Sequence, residues 1–452
     1  MFLLWLSVPV GFWGAYLWLT RGGLTRHIAF LHFAVYFFAI YLSSYGFYQE
    51  QGAVNDRFIF SVMAYPILAL AGMWLAHCTH PRMDFAGSTV RRLPRERTLV
   101  AIMVFFFLAV YAIYLRSLGD NIPLLMLLRG AEPIESRVAR FLATKGYEGA
   151  MGGLRLFFWL PRVLIDYLSA FVVVFAYYWM HRRRSEYLAF VGICIVFVLL
   201  GFLQVEKYPA IRLAAVLALC HLNFHNRRVG LRSLRAGALI VVTAVAFAGV
   251  VYSVVSGAFR ELGTASLLTR ATTTVQLGQD LLATRGQVGQ MTPLYYTYEL
   301  VPDRYEYFGG RTLSNPRGIL PYEPVIWPYL LFAYKNVNDP GVTGSDPTVF
   351  FGEVYVNWGL TFSFLLMITL GYLMQRLHHG LARNIDQIGT TFDYAFFYLV
   401  SVYLMDFALG FTTPWFDERI YIFVLLYWVR KYVVMPSTAA RQTRASDGPP
   451  HA

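Results

Sequence analysis

Apolar runs long enough to cross a bilayer recur along the whole length of this chain. A membrane-spanning helix needs about 20 mostly apolar residues, and in lipid such runs can pair their backbone N–H and C=O groups only as helices. Hydrophobic residues make up 57% of the 452 residues and charged residues only 14%, a balance too apolar for a soluble globule of this size. The sequence therefore predicts an all-α polytopic membrane protein whose main solvent is the lipid bilayer.

The apolar runs and the charged gaps between them predict about eleven transmembrane helices. These spans lie near residues 1–19, 27–45, 58–79, 99–115, 154–180, 187–204, 209–225, 236–257, 355–375, 391–411 and 419–434. The first run has no basic segment before it and no small-residue cleavage site after it, so we expect it to remain as the first span. Residues 1–434 then form a single membrane domain, and the small, polar tail at 435–452 is predicted to be a disordered cytoplasmic segment.

Clusters of arginine in alternate connections predict the orientation of these spans, because short cytoplasmic loops carry an excess of basic residues. The predicted inner connections carry Arg21, Arg26, Arg91, Arg92, Arg95, Arg97, Arg182, Arg183, Arg184, Arg227, Arg228, Arg232, Arg235, Arg376 and Arg383. This pattern places the N-terminus outside and the C-terminus inside. The net charge of +12 is thereby explained by topology, and we predict no nucleic-acid partner.

Two predicted outer loops, at about 116–153 and 256–354, are much longer than turns and are where such a protein usually carries its chemistry. Both loops retain cations on the side that the positive-inside rule depletes. These cations are Arg129, Arg137, Arg140 and Lys145 in the first loop and Arg260, Arg270, Arg285, Arg304, Arg311, Arg317 and Lys335 in the second. One use is to bind a membrane-anchored phosphate, since guanidinium groups fork onto phosphate oxygens. The alternative is that they are solvated or contact lipid headgroups.

Two cations, Lys207 and Arg212, lie at the tip of the hairpin between the sixth and seventh spans or slightly inside the membrane. A charge at the bilayer centre costs about 2.5 to 3.5 kcal/mol on insertion scales, so each of them needs a partner or a ligand. We predict that both are anion ligands. The alternative is that Glu206 pairs with one of them.

Other charges fall within predicted spans. Arg162 and Asp166 are four residues apart and share one helical face, which predicts a mutually neutralising pair in the fifth span. Asp393 and Asp406 lie in the tenth span, where a proton or sodium transporter could use such carboxylates. The alternative for Asp393 is that it only marks the inner interface of the membrane.

Residues typical of metal and nucleotide sites are missing from the sequence. Cys78, Cys194 and Cys220 show no CxxC spacing and have no paired histidines nearby, so we predict neither a disulfide nor a zinc site. The chain also lacks GxxxxGK[ST], HExxH and GxSxG motifs and an outward DxD pair early in the sequence. We therefore predict no metal and no cofactor, and any sugar or phosphate chemistry would depend on basic side chains.

An ordered set of motifs lies in the second long loop and at the mouth of the ninth span. It comprises Leu300-Val301-Pro302-Asp303, Gly309-Gly310-Arg311-Thr312, Asn315-Pro316-Arg317, Leu320-Pro321-Tyr322-Glu323-Pro324, Asp346-Pro347-Thr348 and Gly352-Glu353-Val354-Tyr355-Val356-Asn357-Trp358-Gly359. This set resembles the signature region of the Wzy-type O-antigen, or oligosaccharide repeat-unit, polymerases. Glu206-Lys207-Tyr208-Pro209 is similar to a turn in some of them, and Arg137 and Arg140 fall in the loop where the family has functional arginines. The resemblance extends through spans four to nine.

The resemblance implies a glycosyltransferase of the bacterial inner membrane with its active site on the periplasmic side. Such an enzyme moves a growing glycan from undecaprenyl pyrophosphate to the non-reducing end of a new lipid-linked repeat unit, for O-antigen, lipopolysaccharide or exopolysaccharide. Its substrates would be undecaprenyl-pyrophosphate-linked oligosaccharides, and its chemistry would need no metal. The resemblance also implies partners from the same pathway, a chain-length regulator and a flippase.

On this interpretation, cations bind the substrate pyrophosphate and a carboxylate activates the acceptor hydroxyl. The predicted pyrophosphate ligands are Arg270, Arg311, Lys207, Arg212, Arg137, Arg140 and Arg317. The predicted bases are Glu353, Asp346 and Asp303, with Glu353 preferred because it lies at the mouth of the ninth span. The alternative function of Glu353 is a favourable interaction with the helix dipole, worth about 0.3 to 1 kcal/mol.

Aromatic side chains in the second loop offer either sugar-stacking platforms or anchors at the membrane interface. These are Tyr295, Tyr296, Tyr305, Tyr307 and Trp327. Two rival functions remain open. The first is an O-antigen ligase-like glycosyltransferase with a different acceptor. The second is a flippase or transporter of lipid-linked glycan, which would be expected to have discontinuous helices and paired halves.

Overall fold

The structure, a computed structural model, describes residues 2–20, 23–45, 56–79, 90, 93–129, 164–179, 184–203, 208–225, 291–313, 321–335, 348–387, 389–409 and 420–434. Within these ranges the protein is all-helical and contains no strand, which confirms the all-α part of the predicted fold class. In the described part of the chain, four helices are long and apolar enough to cross a membrane, namely Phe2–Leu19, Asp56–Thr79, Thr98–Arg116 and Phe350–Asp386. Shorter apolar helices cover Phe30–Tyr45, Ser169–Trp179, Glu186–Gly201 and Arg212–Asn223.

The described part of the chain contains the following α-helices. In chain order they are α1 (Phe2–Leu19), α2 (Phe30–Tyr36), α3 (Asp56–Thr79), α4 (Pro94–Leu118), α5 (Pro123–Leu128), α6 (Ser169–Trp179), α7 (Arg184–Leu203), α8 (Tyr208–His225), α9 (Met291–Leu300), α10 (Trp327–Lys335), α11 (Phe350–Gln387), α12 (Thr391–Leu409) and α13 (Ile420–Val429). Wider π-helical turns follow α2 at Phe37–Tyr41, precede α6 at Leu164–Leu168 and follow α13 at Arg430–Val434.

Most predicted spans coincide with one of these helices. The exceptions are the span at 236–257 and the first part of the span at 154–180, which lie outside the described residues, as do the tail at 435–452 and most of both predicted loops. The predicted pair in the fifth span cannot be located, because Arg162 and the side chain of Asp166 are outside the described part of the chain.

The closest helix packing lies between α3 and α11, where two glycines face the opposite backbone. A Cβ atom added to Gly72 would lie 1.9 Å from the carbonyl oxygen of Ile368, and one added to Gly371 would lie 1.9 Å from that of Ala69. Small residues at such a crossing let two backbones approach closely and gain van der Waals contact, which drives helix association in lipid. This crossing fixes α11, the helix that carries the candidate site, against α3.

Helix α12 packs between α2 and α6 and also contacts α11. A buried histidine of α2, His32, bonds through Nδ1 to the carbonyl oxygen of Leu404, at 2.6 Å, and through Nε2 to the hydroxyl of Tyr65. Phe350 at the start of α11 stacks on Phe407 of α12 with ring centroids 4.8 Å apart. These contacts hold α12 against α2 and against the N-terminal end of α11.

At the opposite end of α11 and α12, one buried carboxylate joins two helix N-termini. Glu96 Oε2 accepts the backbone N–H of Leu93 at 3.0 Å and Oε1 accepts that of Phe392 at 3.1 Å, so it satisfies unpaired donors of α4 and α12 together. Asp393 accepts the backbone N–H and the hydroxyl of Thr390 and pairs with Arg430. The two carboxylates tie α4, α12 and the turn after α13 together.

Candidate functional site

A small cap formed by α9, residues 301–313 and α10 lies against the N-terminal part of α11. Helix α9 contacts α3, α10 and α11. The cap has a core of its own, in which the buried indole of Trp327 donates a hydrogen bond to Thr297 Oγ1 at 3.2 Å. Tyr298 packs on Tyr355 of α11 with ring centroids 4.1 Å apart. The cap is therefore a packed element of the structure in this region.

Helix α11 is interrupted at Gly359, whose φ of 81° and ψ of −171° are not helical. A positive φ is readily adopted only by glycine, which lacks a Cβ. In the turn before the break, the carbonyl of Val356 accepts the backbone N–H of Phe308 at 2.9 Å, and the carbonyl of Asn357 accepts that of Gly309 at 3.0 Å. The cap therefore satisfies carbonyl groups at the break and is positioned by them.

Asn357 joins this turn of α11 to the cap through its side chain. Its Oδ1 accepts the backbone N–H groups of Gly310, at 2.8 Å, and of Thr312, at 3.4 Å. Its Nδ2 donates to Thr312 Oγ1 at 2.6 Å and to the carbonyl oxygen of Glu353 at 2.9 Å. The amide is 1% exposed, so the contacts form away from water.

Glu353 lies one turn before Asn357 on α11 and is 2% exposed. Its Oε1 accepts a hydrogen bond from the hydroxyl of Thr312 at 3.1 Å. Its Oε2 is buried, and no donor reaches it from any part of the chain that the structure describes. Because a buried polar atom without a partner costs free energy, Oε2 is suited to a donor that a ligand supplies.

A cavity of about 290 Å³ extends from this carboxylate along α11. Glu353 and Asn357 line its polar end, and the rest of its wall is almost entirely apolar. The apolar wall includes Trp358, Phe362, Leu365, Leu366, Leu370 and Leu373. The lining residues of α11 extend from Glu353 to Leu373 and lie on both sides of the break at Gly359. Phe362 and Leu365 are 55% exposed, so the cavity is open along its side.

The predicted anion ligand Arg212 is paired inside the protein. Its Nε donates to Asp406 Oδ1 and its Nη2 to Asp406 Oδ2, both at 2.9 Å, and Tyr167 donates to the same carboxylate at 2.5 Å. Asp406 is thus a partner of Arg212, while Glu206, the alternative partner that the sequence offered, lies outside the described residues. Asp406 is also one of the two carboxylates that the sequence offered to a transporter, and its charge is compensated here by Arg212. The next residue, Phe407, lines the cavity, which places this ion pair behind the cavity wall.

The remaining predicted site residues fall into two groups. Arg311 and Asp303 are exposed on the cap. Arg311 directly precedes Thr312, and its carbonyl accepts the N–H of Val325 at 2.7 Å. Asp303 lies near Arg57 of α3. The others, Lys207, Arg270, Arg137, Arg140, Arg317 and Asp346, lie outside the described residues.

Among the aromatic residues, the structure corrects one prediction. Trp327 is fully buried in the cap and has no face to offer to a sugar. Tyr295, Tyr296 and Tyr305 are half-buried, and Tyr307 is 45% exposed. Trp358, which is 39% exposed, does line the cavity, together with Phe350, Phe362 and Phe407.

Three residues of this site received no function from the sequence, although all lie in the quoted motifs: Thr312, Asn357 and Trp358. One signal was available for Asn357, because it follows Glu353 by four residues and shares its helical face. Thr312 is 41 residues from Glu353, and no local pattern connects them.

Among the described residues, no cluster of histidine, cysteine, aspartate or glutamate could hold a metal ion. Comparison of the chain with models of protein families, with curated proteins and with solved structures found no match.

Proposed function

We propose that this protein is a glycosyltransferase that polymerises lipid-linked oligosaccharide repeat units. It would transfer the growing glycan from undecaprenyl pyrophosphate to the non-reducing end of a new lipid-linked repeat unit, without a divalent metal. The observation that carries the proposal is the buried Glu353, whose Oε2 has no donor among the described residues and which lies at the polar end of a long apolar cavity. The motifs around Glu353 that resemble Wzy-type polymerases support the same activity.

The proposed reaction requires a base and a cationic site. The acceptor hydroxyl attacks the anomeric carbon of the donor, the bond from that carbon to the phosphate oxygen breaks, and undecaprenyl pyrophosphate leaves with the electron pair. Glu353 would take the proton of the attacking hydroxyl. Cations stabilise the charge that grows on the leaving oxygen in the transition state. Arg311 and the loop cation Arg270 are the first candidates for this role.

The shape of the cavity supports a lipid-linked substrate. A soluble sugar nucleotide has no long hydrocarbon group and would gain nothing from an apolar wall along a membrane helix. A polyprenyl chain would be stabilised along that wall by about 0.8 kcal/mol for each buried CH₂ group. The open side at Phe362 and Leu365 would let such a chain enter from the bilayer.

The proposal includes the topology that the charge pattern predicts, with about eleven spans, the N-terminus outside and the C-terminus inside. Under this topology the cap and Glu353 face the periplasm of a bacterial inner membrane. The cluster around Glu96 and Asp393 would then lie at the cytoplasmic end. A chain-length regulator and a flippase would be partners in the same assembly pathway.

One observation favours a rival, a transporter of lipid-linked glycan. The interruption of α11 at Gly359 is the kind of discontinuous helix that transporters use to bind ions and substrates. Here, however, the carbonyls of Val356 and Asn357 at the break accept hydrogen bonds from the cap backbone, so they are already satisfied. This favours a break that positions the cap rather than a break that binds an ion. A ligase-like enzyme would use the same site with another acceptor.

The test uses the full-length protein in nanodiscs with lipid-linked repeat units extracted from the source organism, in the presence of a chelator. We expect wild-type protein and the control Glu299→Gln, an exposed carboxylate of α9, to produce a ladder of longer glycans. We expect Glu353→Gln to produce none while remaining folded. Equal ladders from wild type and Glu353→Gln would exclude Glu353 as the base. Movement of labelled substrate across the membrane with no ladder from wild type would instead favour the transporter.

A further inference from the structure

The hydrogen bonds of Asn357 have a fixed direction. A carboxamide has two N–H donors and one oxygen with two lone pairs, and Asn357 uses all four positions. The backbone N–H groups of Gly310 and Thr312 can only donate, so Oδ1 must be the atom that faces them. The NH₂ group must therefore face Thr312 Oγ1 and the carbonyl of Glu353.

This arrangement also orients the hydroxyl of Thr312. Its oxygen already accepts a hydrogen from Asn357 Nδ2 at 2.6 Å. Its single hydrogen therefore points at Glu353 Oε1, at 3.1 Å, which is the other polar group bonded to this hydroxyl among the described residues. The hydrogen bonds thus run in one direction, with Asn357 donating to Thr312 and Thr312 donating to one oxygen of the Glu353 carboxylate.

We infer that Thr312 and Asn357 are positioning residues that reserve Oε1 of Glu353 as a hydrogen-bond acceptor and direct proton transfer to Oε2. The inference rests on the proposed function for its catalytic meaning, while the orientation of the carboxyl group stands on the contacts alone. Oε2 has no donor among the described residues, and Glu353 and Asn357 line the same end of the cavity. An acceptor hydroxyl in that cavity would therefore meet Oε2 and find Oε1 already occupied.

The proton-transfer step balances on this geometry. The O–H bond of the acceptor sugar breaks and an O–H bond forms at Oε2. The sugar oxygen forms its new bond to the anomeric carbon, and the bond from that carbon to the pyrophosphate oxygen breaks. In the protonated carboxyl group that results, the proton is on Oε2 and the carbonyl oxygen is Oε1, which still accepts the hydrogen bond from Thr312.

Infrared difference spectroscopy tests the orientation without requiring activity. Spectra of the full-length protein in nanodiscs at low and high pH contain the C=O stretch of protonated Glu353, which is identified by its loss in Glu353→Gln. We expect this band to move to higher wavenumber in Thr312→Val, because the carbonyl loses its donor, and to stay near the wild-type position in Thr312→Ser. Thr297→Val, which removes another buried threonine hydroxyl of the cap, should leave the band unmoved. A band at the wild-type position in Thr312→Val would overturn the inference.

Kinetics with the lipid-linked repeat units separate this inference from the proposed function. We expect Thr312→Val to lower kcat by about 10- to 100-fold, the effect of losing one hydrogen bond to a charged group, with KM little changed. Thr312→Ser should restore most of the loss. A purely structural role would instead lower the folded fraction and leave kcat per folded molecule unchanged, which would overturn the positioning role. A shifted infrared band in a protein that polymerises nothing would support the carboxyl orientation and reject the proposed function.

Discussion

Gly72 of α3 and Gly371 of α11 bring two long apolar helices into backbone contact, each glycine lying against the chain of the opposite helix. Neither position could carry a Cβ without moving the facing backbone. Because α11 also carries Glu353 and Asn357, this crossing holds the candidate site on a fixed support. The cap packs at the break in α11 at Gly359. There the cap backbone and the side chain of Asn357 join the cap to the helix.

The crossing predicts that Gly371→Ala destabilises the protein. Alanine would gain about 1 kcal/mol in helix propensity, but its Cβ would lie 1.9 Å from the carbonyl oxygen of Ala69, and overpacking of this kind typically costs about 1 to 3 kcal/mol. Gly380→Ala is the matched control, since it lies on the same helix with no atom within 4 Å of the added Cβ. We expect thermal unfolding in detergent to show a lower Tm for Gly371→Ala only. An unchanged Tm for Gly371→Ala would contradict the prediction, because it would mean that α3 and α11 can move apart with little loss of stability.

The ion pair of Arg212 and Asp406 predicts a different result for single and double variants. Arg212→Ala would leave a buried carboxylate without its cation, at a cost of about 3 to 5 kcal/mol. Arg212→Met combined with Asp406→Leu removes both charges, so the double variant should recover most of the Tm. Activity of the double variant then decides the function of Arg212. Polymerisation at the wild-type rate would show a structural pair, and a folded but inactive protein would support the predicted contact with pyrophosphate.

Glu96 predicts a dependence of stability on pH. Burial raises the pKa of this carboxyl above its ordinary value, against the opposing effect of the hydrogen bonds from Leu93 and Phe392. A raised pKa means that the folded state binds more protons than the unfolded state, so stability is greatest below the unfolded pKa of about 4.3 and falls as pH rises through the folded pKa. We expect the Tm of Glu96→Gln to fall less than that of wild type as the pH rises through the folded pKa of Glu96. The exposed Glu306→Gln is the control, and an identical pH profile for Glu96→Gln and wild type would contradict the prediction.

Hydropathy locates the helices well because apolar character is a property of each local stretch of sequence. It could not show the interruption of α11, since Gly359 lies within an apolar run and its φ depends on what the cap supplies. The pairing of Arg212 with Asp406 joins residues 194 apart, and charge counting offered Glu206 as the nearer partner. Glu353 was found from its motif, whereas its contact with Thr312 depends on how the cap folds back over α11.

The apolar wall of the cavity predicts a selective effect of blocking it. Thr369 lines the wall well away from Glu353, so Thr369→Trp should obstruct a long prenyl chain without touching the carboxylate. We expect KM for the undecaprenyl-linked donor to rise about tenfold or more, equivalent to losing about two buried CH₂ groups. KM for an analogue with a short prenyl tail should stay unchanged, because such a tail would not reach the tryptophan. Leu377→Trp, an exposed position of α11 outside the cavity wall, controls for added bulk on the helix surface. Equal effects of Thr369→Trp on long and short donors would mean that the hydrocarbon chain lies elsewhere, because only a chain along this wall distinguishes the two substrates.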